Sequence, residues 1–300
     1  MPIRFIPPRS LPRRLLPLLV AGLCLPAFQS CVEVGPPVDM STGTPGLKDT
    51  TYLETTPENR QNRVVLLEEF TGVRCVNCPR AHTTIASLQS LYPGRVAAVG
   101  IHTGFYSVPY AGQAEDLSLP EGNNIETLLG SAQGYPSGAV NRRLFPGESG
   151  IIISDQKWSN YVNAEKDVAP PVNVGLERLW LSGGDSLRVD CRVRLNDSTT
   201  GPLYLTVYLV ENNLVSFQLN PSPVGLDSFY VHKHVARKML TPYNGVALQA
   251  PAFPVGRVFE RSLLLGFGQG WRREECELIA LVHRGGASGE VLQAARLPVN

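Results

Sequence analysis

Cys75-Val76-Asn77-Cys78 sets two thiols three positions apart, between the apolar run Arg63 to Phe70 and a segment of helical spacing that begins at Pro79. Three chemistries use such a pair: thiol–disulfide exchange, half of a metal site, or a bridge that only closes a turn. A thiol attacks as thiolate, and the unpaired N–H groups and dipole at the head of a helix stabilise that anion. The order therefore predicts Cys75 as the solvent-exposed, attacking sulfur and Cys78, nearer the helix, as the resolving one. Arg74 adds positive charge beside Cys75, and His82 lies one helical turn beyond Cys78.

A metal reading would take Cys75, Cys78 and His82 as three ligands, one short of a structural zinc set. His102, His232, His234 and His283 are distant in sequence, and His232 and His234, on one strand face, read as surface. Pro79 stands where a haem attachment motif needs histidine. Neither metal nor cofactor is expected. A structural bridge remains open, although closing so short a loop removes little chain entropy.

The compartment bears on the choice. Arg4, Arg9, Arg13 and Arg14 precede an apolar stretch from Leu15 to Phe28 that Pro17 and Pro26 interrupt, a signal rather than a transmembrane span. It ends at Gln29-Ser30-Cys31. This resembles a bacterial lipoprotein signal, which implies lipidation of Cys31 and a membrane anchor; an ordinary secretory signal with an incidental cysteine is the alternative. In either case the chain is exported, where thiols tend to be oxidised. Cys75, Cys78, Cys191 and Cys276 then remain, an even set.

The elements that would position the pair follow from periodicity. Residues 1–30 read as signal and 31–50 as a flexible tether. A domain over 51–168 carries strand, helix and strand around Arg63 to His102, a helical insert near 113–131, a strand pair and a helix from Ser154 to Lys166. Residues 169–300 form a second, all-β domain. Its strands alternate, as in Leu187, Val189, Cys191, Val193 and Leu195, and suit an immunoglobulin-like β-sandwich. Cys191 and Cys276 sit on inward faces of distant strands, which suggests a bridge between sheets; two buried free thiols are the alternative. Tyr204 and Tyr208 share a strand face with Thr206 and could mark an interaction surface. The length of 300 residues fits about two domains, and a net charge of +1 gives no reason to expect nucleic acid.

The first domain resembles the thioredoxin fold. The strand, C-x-x-C, helix order matches, and Glu69 stands six positions before Cys75, where that fold carries a buried acid that moves protons for the second cysteine. Pro136 in Gly-Tyr-Pro-Ser-Gly-Ala-Val matches its cis-proline beside the disulfide. Arg74 replaces the usual tryptophan, and Pro79 after the second cysteine is unusual. The whole chain, through Glu68 to His82, Gly134 to Arg143 and Tyr230 to Leu240, is similar to the Omp twenty-eight-related outer-membrane lipoproteins. That resemblance implies an outer-membrane location and a thioredoxin-like domain followed by a β-sandwich. The resulting expectation is α/β plus all-β architecture. Thiol–disulfide exchange would act on exported protein thiols or disulfides, with an unidentified redox partner. The alternative is a non-enzymatic surface binding or adhesion lipoprotein whose CxxC is structural or a relic.

Overall fold

The computed structural model describes residues 46–268, 270–285 and 289–300; the expected signal, Cys31 and most of the expected tether lie outside them. β-Structure dominates. Asp49–Leu53 (β1), which straddles the expected end of the tether at residue 50, is an edge strand. Its Thr-Thr-Tyr centre favours extended backbone, and Arg257 to Arg261 supply an antiparallel ladder.

Val65–Thr71 (β2) and Val96–His102 (β3) are buried at every residue and pair in parallel, joined by Cys78–Leu91 (α1). Mostly apolar content suits strands covered on both faces, and the buried Glu68, Glu69 and His102 are exceptions. Pro79 occupies the first turn of α1, where its missing N–H is not needed, and Ala81, Ile85 and Leu88 form the buried stripe. Gly122–Leu129 (α2) precedes Ser137–Val140 (β4), Ile153–Ser154 (β5) and Trp158–Glu165 (α3). β4 runs antiparallel to β2, and β5 antiparallel to β4.

The remaining elements are all strands or short turns. They are Val172–Trp180 (β6), Ser186–Leu195 (β7), Leu203–Glu211 (β8), Leu214–Leu219 (β9) and Leu226–His232 (β10). Val235–Met239 (β11), Val246–Leu248 (β12), Arg257–Gly266 (β13), Cys276–Arg284 (β14) and Val291–Pro298 (β15) follow. One sheet has the order β1-β13-β7-β6. A larger one runs β15-β14-β8-β11-β3-β2-β4-β5, with β12 paired to β8, while β9 and β10 pair only with each other. The inner face of β7 packs on β8 and β14 across a core of Val189, Val193, Leu205, Val207, Leu278 and Ala280.

The large sheet joins strands from both sides of the expected boundary at residue 168, since Val235 of β11 pairs in parallel with Gly100 of β3. Behind it, Arg142 is fully buried and gives Glu68 two hydrogen bonds, of 2.7 and 2.6 Å. The hydroxyl of Tyr208 donates to the same carboxylate at 2.8 Å. Tyr208 and Thr206 are fully buried rather than an interaction surface: Tyr208 lies in the core that holds Leu66 and Phe70 of β2, and Thr206 Oγ1 is 2.9 Å from His283 Nε2.

Cys191 and Cys276 are free thiols, which corrects the expected bridge. Both are buried in the core between the sheets. Cys191 lies mid-strand in β7, opposite Leu176 and Arg261, whereas Cys276 opens β14 opposite Glu211. An inward direction brings both to one core without bringing them within bonding reach. Burial pushes each thiol up to about 12, and they act as core packing.

Candidate functional site

Cys75 and Cys78 are joined by a disulfide, with their Cα atoms 5.4 Å apart. Cys78 is the first residue of α1, so the bridge sits at the head of that helix. The turn before it is shaped by a close approach: a side chain at Gly72 would overlap the Tyr106 carbonyl, which accepts a hydrogen bond from Arg74 N at 2.9 Å. The Arg74 guanidinium is turned toward the 105–110 loop. It donates to Val108 O at 2.6 Å and Pro109 O at 2.8 Å and stacks on Tyr110.

A polar cluster fills the space beneath the bridge. Glu69, on the α1 side of β2, is 2% exposed. His82 Nε2 lies 3.2 Å from Thr71 Oγ1 and 3.3 Å from Glu69 Oε1, an oxygen with no other partner. His82 Nδ1 is 2.7 Å from the Tyr230 hydroxyl. In the tautomer that accepts from the Tyr230 hydroxyl at Nδ1, the Nε2–H is directed at Glu69 Oε1 and Thr71 Oγ1. The His232 ring stands 5.4 Å from that of His102 and 6.3 Å from that of His82. Burial drives His102 well below its ordinary range, helped by His232 and His82, and pushes His232 down to about 4. Both are neutral at pH 7. Among the described residues no group of three or more His, Cys, Asp and Glu side chains is arranged to hold a metal ion.

Two expectations are overturned here, and one cause explains both. Cys75 is 1% exposed and Cys78 fully buried, so the attacking sulfur does not face solvent. His232 is interior, not surface, and does not share a strand face with His234, which lies past the end of β10 at a left-handed φ of 56°. The cause is the β9–β10 hairpin, which lies over the disulfide. Gln218 Nε2 donates to Cys75 O at 2.9 Å, Leu219 N donates to Val73 O at 2.8 Å, and Leu214 packs with Val73. Only Val76 and Asn77 of the four-residue turn reach the surface.

The Tyr135–Pro136 peptide is cis. Pro136 and Asn77 line one groove of about 450 Å³, together with Arg80, Tyr135, Ile152 and Asp155. Arg80 closes one side through paired hydrogen bonds of 2.8 and 2.9 Å to the buried Asp155 carboxylate. Tyr135 stacks near Tyr106, 5.1 Å between ring centres, and its hydroxyl donates to Glu126. Residues 75, 78, 69 and 136 are therefore gathered at one end of β2 and α1. Gln218, Tyr230 and His232 join them, which sequence reasoning missed. Tyr230 and His232 alternate along β10, but their side of the strand reads as solvent until the hairpin is seen to fold back.

Fold and site together define a β-rich protein with a hairpin-covered disulfide turn at the head of a helix. The sequence profile of the family described as Outer membrane protein Omp28 matches residues 128–300, more than half of the chain. The chain belongs to that family. Among solved structures, HBP35 of Porphyromonas gingivalis is similar at a TM-score of 0.62 and 22% identity, covering 81% of this chain and 77% of that one. An X-ray structure of an Agrobacterium tumefaciens protein is similar at a TM-score of 0.49 and 18% identity, covering 80% of this chain and 96% of the other. No curated protein matches the chain.

Proposed function

We propose that this is an outer-membrane-associated protein, lipid-anchored at Cys31, whose Cys75–Cys78 site carries out thiol–disulfide exchange on exported proteins. Under this reading residues 51–168 are thioredoxin-like and 169–300 an immunoglobulin-like sandwich. The observation that carries it is the shared groove: Asn77 of the disulfide turn and cis-Pro136 line one cavity, with the buried carboxyl of Glu69 on the inner side of the turn.

In the oxidised form, a substrate thiolate attacks Cys75 Sγ, a new S–S bond forms, and Cys78 leaves as thiolate at the helix head. Glu69 and His82 are the groups placed to hand it a proton. A second substrate thiolate then attacks the mixed disulfide and frees Cys75. Two electrons and two protons pass from the substrate dithiol to the site. The reverse reaction starts from the Cys75 thiolate, with Cys78 resolving, and a second dithiol protein returns the site to its starting state. Pro136 shapes the groove in which the substrate segment lies.

A second reading is favoured by the burial of both sulfurs: a structural disulfide in a surface binding protein. One assay separates the two. The full chain is incubated with a reduced, unfolded dithiol polypeptide, or with its disulfide form, in a glutathione buffer, beside Cys75→Ser. Exchange well above that of Cys75→Ser supports the first reading, and equal rates in both directions overturn it in favour of the second.

A further inference from the structure

The geometry points to the β9–β10 hairpin as the access and specificity element of the Cys75–Cys78 site: it lifts to admit an extended cysteine-bearing polypeptide, and Gln218 and Tyr230 latch it shut. This rests on the exchange reading. The hairpin is inserted between two strands that are themselves paired, β8 and β11. It belongs to neither large sheet. It joins the body through Asn213 and His234, both non-glycine residues with φ of 56°. Those pivots are themselves anchored. Asn212 Oδ1 accepts from His234 N at 2.9 Å, and the Asn212 and Asn213 carbonyls accept from Arg272 Nη2. Rotation about two points held in the body moves the hairpin without breaking either large sheet.

Its polar grip on the site is small. Gln218 Nε2 holds Cys75 O, Leu219 N holds Val73 O, and the Tyr230 hydroxyl holds His82 Nδ1. Two of these three acceptors are backbone carbonyls flanking the disulfide. When the hairpin leaves, Val73 O is left facing the opening without a donor and Cys75 O keeps only Cys78 N, at 3.2 Å. An extended polypeptide supplies main-chain N–H groups in their place, as an added strand does. A small thiol has no such ladder to offer. The hairpin therefore selects for polypeptide substrates as well as restricting access. Gln218 itself is fully buried, its Oε1 has no partner, and its Nε2 bridges Cys75 O and the hairpin's own Leu219 O, both at 2.9 Å.

The test uses the full chain with Tyr230→Phe and Gln218→Ala, each compared with wild type by circular dichroism and melting temperature. The oxidised proteins are treated with tris(2-carboxyethyl)phosphine, and the two released thiols are counted by maleimide mass tagging. The proposal expects wild-type reduction to level off at high phosphine, where lifting limits the rate. It expects each variant to react roughly fivefold faster, the effect of one hydrogen bond. Wild-type reduction that stays proportional to phosphine at the speed of an unfolded control overturns it. So do variants that keep the wild-type melting temperature and react no faster. If either variant loses its fold, the other and the wild-type saturation still decide. The Cys75→Ser exchange assay is separate. Faster phosphine reduction with no polypeptide exchange keeps the access element and removes the exchange reading; exchange without any gating effect does the opposite.

Discussion

Among the described residues cysteine sulfur is buried in two places, and their surroundings differ in kind. Around Cys191 and Cys276 the neighbours are Val, Leu, Phe and Ala from two facing sheets, and the thiols stay reduced. Around Cys75 and Cys78 lie Glu69, Thr71, His82, His102, Tyr230 and His232, several with unpaired atoms, and the sulfurs are bonded. An apolar interior holds sulfur as filler. A polar interior is harder to form, because each buried polar group without a partner costs free energy. The difference shows that burial alone does not decide what a cysteine does; the company it keeps and its distance along the chain do.

Reactivity gives the largest test of that contrast. With their thiols raised to about 12, Cys191 and Cys276 should alkylate on the order of 10³-fold slower than an unperturbed thiol at pH 8. Iodoacetamide kinetics on the native, unreduced protein, with full labelling recovered in guanidinium, checks this. Rapid native labelling would erase the contrast. Recovery of no free thiol from the described cysteines after denaturation would do so too.

Next comes stability. Arg142→Met leaves the Glu68 carboxylate buried without its cation and should lose about 3–5 kcal/mol in urea unfolding. Cys191→Ala removes one methylene-sized group from the apolar core and should lose only about 1 kcal/mol. Equal losses would mean the two interiors are not distinct energetically.

The third test is in pH. Burial, helped by His82, holds His232 neutral with its folded value down to about 4, against the Phe217 carbonyl and Asp227, which favour the charged form. Between about 6.5 and 4 the unfolded chain therefore takes up a proton that the folded chain does not. The stability present above 6.5 falls over that window by roughly 3 kcal/mol and levels off below it. His102, His234 and His283 act in the same sense. Stability measured against pH in wild type and His232→Gln isolates the share of His232; identical slopes would sharpen the comparison against it.

Much of the secondary structure was legible because it is written in local periodicity. The apolar run of β2, the stripe Ala81, Ile85, Leu88 of α1 and the strict alternation of β7 each identify their element without a partner. Cys75 and Cys78 bond because a turn with only two residues between them holds them together. What was hidden depends on contacts between distant residues. Gln218 meets Cys75 across 143 positions, and no pattern near either residue announces it, so the site read as open. The bridge expected between Cys191 and Cys276 failed for the same reason: facing inward is periodic, but relative height between two sheets is not. Asp49–Leu53 became a strand because β13 offered an edge.

The Glu68, Arg142 and Tyr208 trio stitches β2, the loop after β4, and β8 into a single seam that runs through the place where the chain looks divisible. Excision near residue 168 would strip the β3 edge from β11 and strand a carboxylate–guanidinium pair without its phenol. Any truncated form made to study the cysteine turn by itself would begin with that damage. The smallest piece fit for such work is the continuous span that keeps the seam whole.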